Sequence, residues 1–285
     1  MDRHTWFAIG GPADLYVAPG DLEQLRQVYR LALDEGLPRF LLGAGANILV
    51  SDRGIRGVVI DLGRLRGLRV EGDRVAAWAG VAMSDLAAEA SAAGLAGLES
   101  FFAMPGQVGG SVWMNARCYE RSVSDCLESV DLLNDSLEVE RVPRGEGDYS
   151  YKRSPFQGRE GVILGATFRL QPGASPEALR ARMGEIRADR ERKGHFIHPC
   201  AGSMFKNNHA FGMPSGRLID SLGFRGRRVG GAMVSELHAN IIVNAGRATA
   251  SEVDALAREI EIKVKEEYGF DLEREVLLVG DWAGR

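Results

Sequence analysis

Two glycine-rich segments hold the residues whose types and spacing could do chemistry. The first is Leu42-Gly43-Ala44-Gly45-Ala46-Asn47-Ile48-Leu49-Val50-Ser51-Asp52. Small residues between two apolar runs let main-chain N–H groups approach an anion such as a pyrophosphate. A tight β-turn explains the same residues equally well. A dinucleotide fold of the Rossmann type needs a third glycine and a helix directly after the loop. Here the chain continues as a strand through Ile48-Leu49-Val50, so that fold is disfavoured. Asp61 has the type of its ribose-binding acid but no helix to serve.

The second segment is Met104-Pro105-Gly106-Gln107-Val108-Gly109-Gly110-Ser111-Val112-Trp113-Met114-Asn115-Ala116. Its proline and glycines predict a rigid loop with little side-chain cover, suited to a large flat ligand that touches backbone, and Gly80 offers another close approach. Two such loops in a β-rich frame suit a ligand with both a pyrophosphate and a ring system, and FAD is the natural candidate. The expected cofactor contacts are Gly43, Ala44, Gly45, Asn47 and Ile48 in the first loop. In the second they are Pro105, Gly106, Val108, Gly109, Gly110, Asn115 and Ala116.

Strands and helices must position these loops. Strand-like runs cover 15–17, 40–42, 47–50, 58–62, 75–79, 130–133 and 162–170, most of them bounded by Gly, Pro or Asp. Leu22, Leu25, Val28, Tyr29 and Ala32 share one face of a helix over 22–35, and an alanine-rich helix covers 84–93. Ser175-Pro176 starts an arginine-rich helix running to about Lys193. Thr249 to Glu252 has capping-box spacing, Val253, Leu256, Ile260 and Val264 form one apolar stripe, and Gly269 ends that last helix. The expected fold class is α+β, with a β-rich front and a compact α/β rear. The expected divisions are residues 1–66, 67–172 and 173–285.

The 285 residues, 45% hydrophobic and 26% charged, have the profile of a soluble globular protein. A formal charge of −4 gives no support for binding nucleic acid or membranes. Cys118, Cys126 and Cys200 lack metal-type spacing and suggest a reducing compartment, and no metal is expected. No apolar run approaches the ~18 residues of a membrane span. A cytoplasmic monomer is expected.

The front resembles the flavin-binding domain of vanillyl-alcohol oxidase-type flavoproteins. From about residue 5 to 280, the chain is similar to the UDP-N-acetylenolpyruvoylglucosamine reductases, in a short form lacking an extra substrate-covering loop. The matching stretches are 7–14, 43–52, 54–60, 105–116, 201–207, 230–232, 238–246 and 272–276. The resemblance implies a two-subdomain FAD-binding region, holding the flavin non-covalently, and a smaller substrate-binding domain. It also implies that NADPH reduces the flavin and leaves. Hydride then passes to the enolpyruvyl group of UDP-N-acetylglucosamine-enolpyruvate, and a proton adds at the adjacent carbon to give UDP-N-acetylmuramate, a cell-wall precursor.

Such chemistry needs a hydroxyl over the carbon to be protonated and a cation or acid beside the carboxylate. In the resemblance Ser203, in Ala-Gly-Ser-x-Phe, is the proton donor, aided by neighbours such as Lys206. Glu275 is the acid of the closing string, with Arg274 in place of the usual proline and Glu273 as a solvated neighbour. Where the family usually has Tyr-Arg-x-Ser, this chain has Tyr151-Lys152-Arg153-Ser154. Lys152 keeps the charge but loses the bidentate grip of a guanidinium. Arg153 is the alternative, disfavoured because one step along a strand turns a side chain to the opposite face. Asn207, Arg225 and Tyr151 align with substrate contacts. Arg117 and Tyr119 depart from a smaller-residue pattern. Covalent flavin attachment through His4, Cys118 or Cys200 is possible by residue type. Two competing functions are a different oxidoreductase of the same flavin fold and a nucleotide binder without chemistry. The serine in the rear loop opposes the first. Lys152 in an arginine position is the one hint of the second.

Overall fold

The computed structural model describes residues 1–145 and 148–282. Its helices are α1 (Leu22–Asp34), α2 (Met83–Ala92), α3 (Val108–Trp113), α4 (Pro176–Arg192), α5 (Ser215–Ser221) and α6 (Ala250–Tyr268). Four of the six were legible as periodic patterns. Asp21 caps α1 by accepting the Gln24 N–H at 2.8 Å. Thr249 and Glu252 close a capping box on α6, and Gly269 ends it at φ +73°. Asp52 adds a second cap to α6, accepting the N–H groups of Ala250 at 2.7 Å and Ser251 at 2.9 Å.

The chain divides into two compact units. One comprises residues 16–44 and 58–189. Its centre is a five-stranded antiparallel sheet in the order Val139–Pro143, Leu127–Leu133, Val162–Arg169, Arg74–Trp78, Leu68–Glu71. Successive residues of a strand face opposite sides. Ile163, Ala166 and Phe168 enter a core with Met83, Leu86, Phe101, Val108 and Val112. Val162 and Leu164 enter another with Leu25, Tyr29, Val58 and Ile60. Strand Arg39–Leu42 pairs in parallel with residues 58–61.

The second unit comprises residues 1–15, 45–57 and 190–285. Its four-stranded sheet runs in the order Cys200–Ser203, Ile241–Asn244, Ala232–Val234, Arg228–Val229. The Val253, Leu256, Ile260 and Val264 stripe of α6 is fully buried against Phe205, Ala232, Val234 and Ile242. Strand Ile48–Val50 pairs in parallel with Leu277–Val279. Among the described residues no helix is long and apolar enough to cross a membrane.

Two expectations need correction. Residues 105–116 are not loop throughout, because Val108–Trp113 wind into α3. The Gln107 carbonyl accepts the Ser111 N–H at 2.9 Å, and the missing side chain at Gly109 lets the helix press on the Arg74–Trp78 end. A Cβ there would stand 2.9 Å from that of Ala79. Residues 150–153, read as strand, instead form a turn in which the Ser150 and Arg153 main chains exchange hydrogen bonds of 3.2 and 3.0 Å. Lys152 sits at φ +58°, in the position of a β-turn that wants a left-handed residue. Face alternation therefore does not separate Lys152 from Arg153.

Candidate active site

In the unit holding residues 190–285, Ser203 ends strand Cys200–Ser203 just after Gly202, which bends the chain at φ +77°. The next residues run antiparallel to the segment carrying Glu275. The Glu275 N–H donates to the Met204 carbonyl at 2.8 Å, and the Lys206 N–H to the Glu273 carbonyl at 2.8 Å. The segments bearing Ser203 and Glu275 are thus direct neighbours. Lys206 does not stand as an open helper for Ser203, since its ammonium pairs with Glu273 at 2.6 Å.

Three further side chains hold this pair of segments. Asn240, 3% exposed, accepts the Phe205 N–H at 3.0 Å and donates to the Phe205 carbonyl at 2.8 Å. A side-chain amide there does the work of a missing strand. Its own carbonyl accepts the Met204 N–H at 2.7 Å. Asn47 donates to the Glu275 carbonyl at 3.0 Å, and its own carbonyl accepts the Leu277 N–H at 3.0 Å. Arg274 reaches the other way, to Glu261 at 2.5 and 3.1 Å and to Asp254 at 2.5 Å on α6. Burial works to lower its pKa, but the hydrogen bonds to Glu261 and Asp254 outweigh it and hold the guanidinium above its usual range.

Asn207 and Arg225 lie in the same unit, each with a structural task. Asn207 accepts the Ser215 N–H at 3.0 Å, the first residue of α5. Arg225 makes a fork to Asp220 at 2.5 and 2.7 Å and donates to the Glu236 carbonyl at 3.2 Å. His238 accepts the Asn240 N–H on Nδ1 at 3.3 Å. Burial first, then the nearby Lys193 charge, pushes its pKa below the ordinary histidine value.

In the other unit, the turn bearing Tyr151 and Lys152 is tied to the end of α3. Asn115, buried and at φ +43°, donates to the Ser150 carbonyl at 2.9 Å and accepts the Ser124 N–H at 3.1 Å. The Trp113 carbonyl accepts from Ser154 at 2.6 Å and from Gln157 at 3.2 Å, and Gln157 also donates to the Lys152 carbonyl at 3.0 Å. Lys152 is half-buried and Arg153 exposed. Tyr119 is drawn away to Asp189 at 2.6 Å.

The glycines of the two loops are required for different reasons. Gly45, at φ +62°, would place a Cβ 2.5 Å from the His4 carbonyl oxygen, so packing alone demands glycine there. Gly110 meets nothing within 4 Å, and Gly43 meets only the Gln107 amide oxygen at 3.4 Å. Val108 and Gly109 spend their N–H groups on the carbonyls of Val81 at 2.9 Å and Ala79 at 3.0 Å. Asn115 and Ala116 donate to Val112 at 3.1 Å and Ser111 at 2.8 Å. Among the described residues, the N–H groups of Gly43, Ala44, Gly45 and Ala46 donate to no main-chain carbonyl outside regular structure.

Comparison with known proteins agrees with this layout. Residues 13–142 match the FAD binding domain family, and residues 194–279 match the C-terminal domain of UDP-N-acetylenolpyruvoylglucosamine reductase. A reductase of that name from Treponema denticola is 40% identical, over 98% of this chain and 91% of its own. One from Shouchella clausii is 38% identical, over 98% and 89%. The chain belongs to the UDP-N-acetylenolpyruvoylglucosamine reductase family. A solved reductase of the family, from Thermus caldophilus, superposes with a TM-score of 0.80 at 34% identity, covering 98% of this chain and 96% of that one. The fold is α+β, with an FAD-binding domain followed by the reductase family's C-terminal domain.

The reductase family implies FAD, and the residues present fit it. Uncommitted N–H groups at Gly43 and Ala44 suit a phosphate. Gly43, Gly106 and Gly110 leave backbone uncovered, and the Gln107 amide oxygen, sealed from solvent, has no hydrogen-bond partner. Sequence reasoning assigned no role to Asn240, Asp254, Glu261, Ser154 or Gln157. An amide inside the apolar run His238-Ala239-Asn240-Ile241-Ile242-Val243 was the available signal for the first, since a buried amide must find partners. The others act through distant partners that no spacing announces.

Proposed function

We propose that this reductase carries out the NADPH-dependent, FAD-mediated reduction of the enolpyruvyl ether of UDP-N-acetylglucosamine to UDP-N-acetylmuramate. Bound FAD supplies the two-electron chemistry, hydride taken from NADPH and passed to the terminal enolpyruvyl carbon. The protein's own task is to bind and orient the enol ether and to place one proton. Ser203 gives its hydroxyl proton to the adjacent carbon, and solvent restores it. Glu275 assists the enol form of the intermediate, and Lys152 stands for the usual arginine against the substrate carboxylate, as a compact charge. Tyr151, Asn207 and Arg225 contribute to holding the sugar and phosphates, and the fork to Asp220 sets the orientation of Arg225. In this reading the enzyme is a cytoplasmic monomer serving cell-wall synthesis, divided at residues 66 and 172.

The observation that carries the reading is the ladder joining Met204 to Glu275, clamped by Asn240 and Asn47, which brings the serine and acid segments side by side. Ser203→Ala tests it. The variant should let NADPH bleach the flavin at the normal rate while turnover of the enol ether falls by orders of magnitude. Unchanged turnover would remove Ser203 from the proton-donor role.

A further inference from the structure

Gln107 belongs to the second glycine-rich segment, where nothing in the reaction as described gives its side chain work. Its main-chain carbonyl accepts the Ser111 N–H, and the residue lies opposite Ala82 in a bridge whose hydrogen bonds are made by its neighbours, the Met83 N–H to the Gly106 carbonyl and the Val108 N–H to the Val81 carbonyl. Its side chain turns into the space between Gly43 and Gly63. The amide oxygen would stand 3.4 Å from a Cβ at Gly43, and the amide nitrogen 3.2 Å from one at Gly63. That oxygen is sealed from solvent and accepts no hydrogen bond. A buried carbonyl oxygen without a donor is unfavourable, and native structures keep few of them without a reason.

Two donors on the Gly63 side are already spent. The Gly63 N–H goes to Asp61 at 2.7 Å, and the Tyr16 hydroxyl goes to the other oxygen of the same carboxylate. Among the described residues, the N–H groups of Gly43 and Ala44 donate to no main-chain carbonyl, yet neither reaches the Gln107 oxygen. Gly43, directly opposite, leaves that side without a side chain, beside the uncommitted N–H of Ala44. An apolar residue of similar length would fill the same volume at no polar cost, so packing does not account for an amide.

We propose that Gln107 is a cofactor-binding side chain, whose amide oxygen accepts a hydrogen bond from a donor on bound FAD. An amide oxygen only accepts, and so do ionised phosphates, so the pyrophosphate is not its partner. The donors left on FAD are its sugar and ribityl hydroxyls, the adenine amino group and the N–H of the flavin ring. The proposal rests on FAD being the cofactor.

The test compares the unaltered chain with Gln107→Met, which keeps the length and removes the acceptor. Both are stripped of flavin and titrated with FAD by fluorescence quenching. The unaltered chain should bind FAD, and the variant should bind it about tenfold or more weakly. The flavin-free variant should melt no lower than the flavin-free parent, because removing an unsatisfied oxygen does not destabilise the empty protein. The same titration with FMN and with ADP assigns the donor, since only the half of the cofactor that meets Gln107 should lose affinity. If Gln107→Met does not fold, Gln107→Glu, which keeps an oxygen at the same reach, replaces it and should retain FAD within a few-fold. Equal FAD affinity in parent and Gln107→Met overturns the proposal. So does a lower flavin-free melting temperature with unchanged affinity, which would make Gln107 structural. If the unaltered chain itself fails to bind FAD, the cofactor reading falls instead.

Discussion

Replacing Asn240 should loosen the serine and acid segments without touching the flavin loops. The side chain satisfies both the N–H and the carbonyl of Phe205, a residue 1% exposed. Asn240→Ala leaves two buried main-chain groups without partners, each worth roughly 1–3 kcal/mol. Partial relaxation and water entry reduce the sum, so the expected loss of stability is about 2–4 kcal/mol. Urea denaturation of the flavin-loaded protein measures it. In stopped flow, reduction of the flavin by NADPH should be unchanged while reoxidation by the enol ether slows. Asn240→Asp adds a pH test. Its ionised carboxylate would face the Phe205 carbonyl and be buried, which raises its folded pKa above the unfolded value of about 4. A raised pKa contributes stability that is present at low pH and lost as pH rises through the folded pKa. The aspartate variant should therefore be most stable in acid, relative to the parent, and weaken towards neutrality. A loss under about 1 kcal/mol for Asn240→Ala, or a pH-independent difference for Asn240→Asp, would refute the reasoning.

Three other outcomes follow from the same structure. Lys152→Ala should slow the second half-reaction more than Arg153→Ala does, read as flavin reoxidation rates; the reverse order would give the carboxylate to Arg153. Arg274→Met removes the guanidinium from Glu261 and leaves Asp254 only its other contacts, among them Arg258, so it should cost about 2–4 kcal/mol in urea denaturation, within the range for breaking a largely buried ion network. The pKa of His238 is lowered from 6.5 on folding, so the unfolded chain binds the proton first. Its stability contribution is present above about pH 6.5 and lost as pH falls through the folded pKa. Protonation also takes the Nδ1 acceptor from Asn240, so His238→Gln should flatten that acid limb of the stability curve.

The elements with strong period were legible in the sequence because local chemistry decides them. The apolar stripe of α6, its capping box and Gly269 agree with one another, and so do the β-branched runs at 58–61 and 162–169. Where the reading failed, tertiary contacts overrode local preference. Glycines at 109 and 110 argue for a loop, yet Gly109 is the residue that lets α3 close on Ala79. Lys152 looks like strand by its neighbours, yet the hydrogen bonds from Asn115, Ser154 and Gln157 hold its segment as a turn. For the candidate site, the sequence offered residue types suited to substrate chemistry but not the side chains that hold their segments in place. Arg274 was visible as a departure from proline, but its two carboxylate partners lie on a helix that the sequence relates to it by nothing more than burial of one face.

A flavin protein that reduces an enol ether changes colour as it turns over, so an absorbance titration is the decisive measurement. The purified protein should be yellow, lose its flavin band on adding NADPH under anaerobic conditions, and regain it only when UDP-N-acetylglucosamine-enolpyruvate is added. A colourless protein, or a reduced flavin that the enol ether leaves reduced, would contradict it.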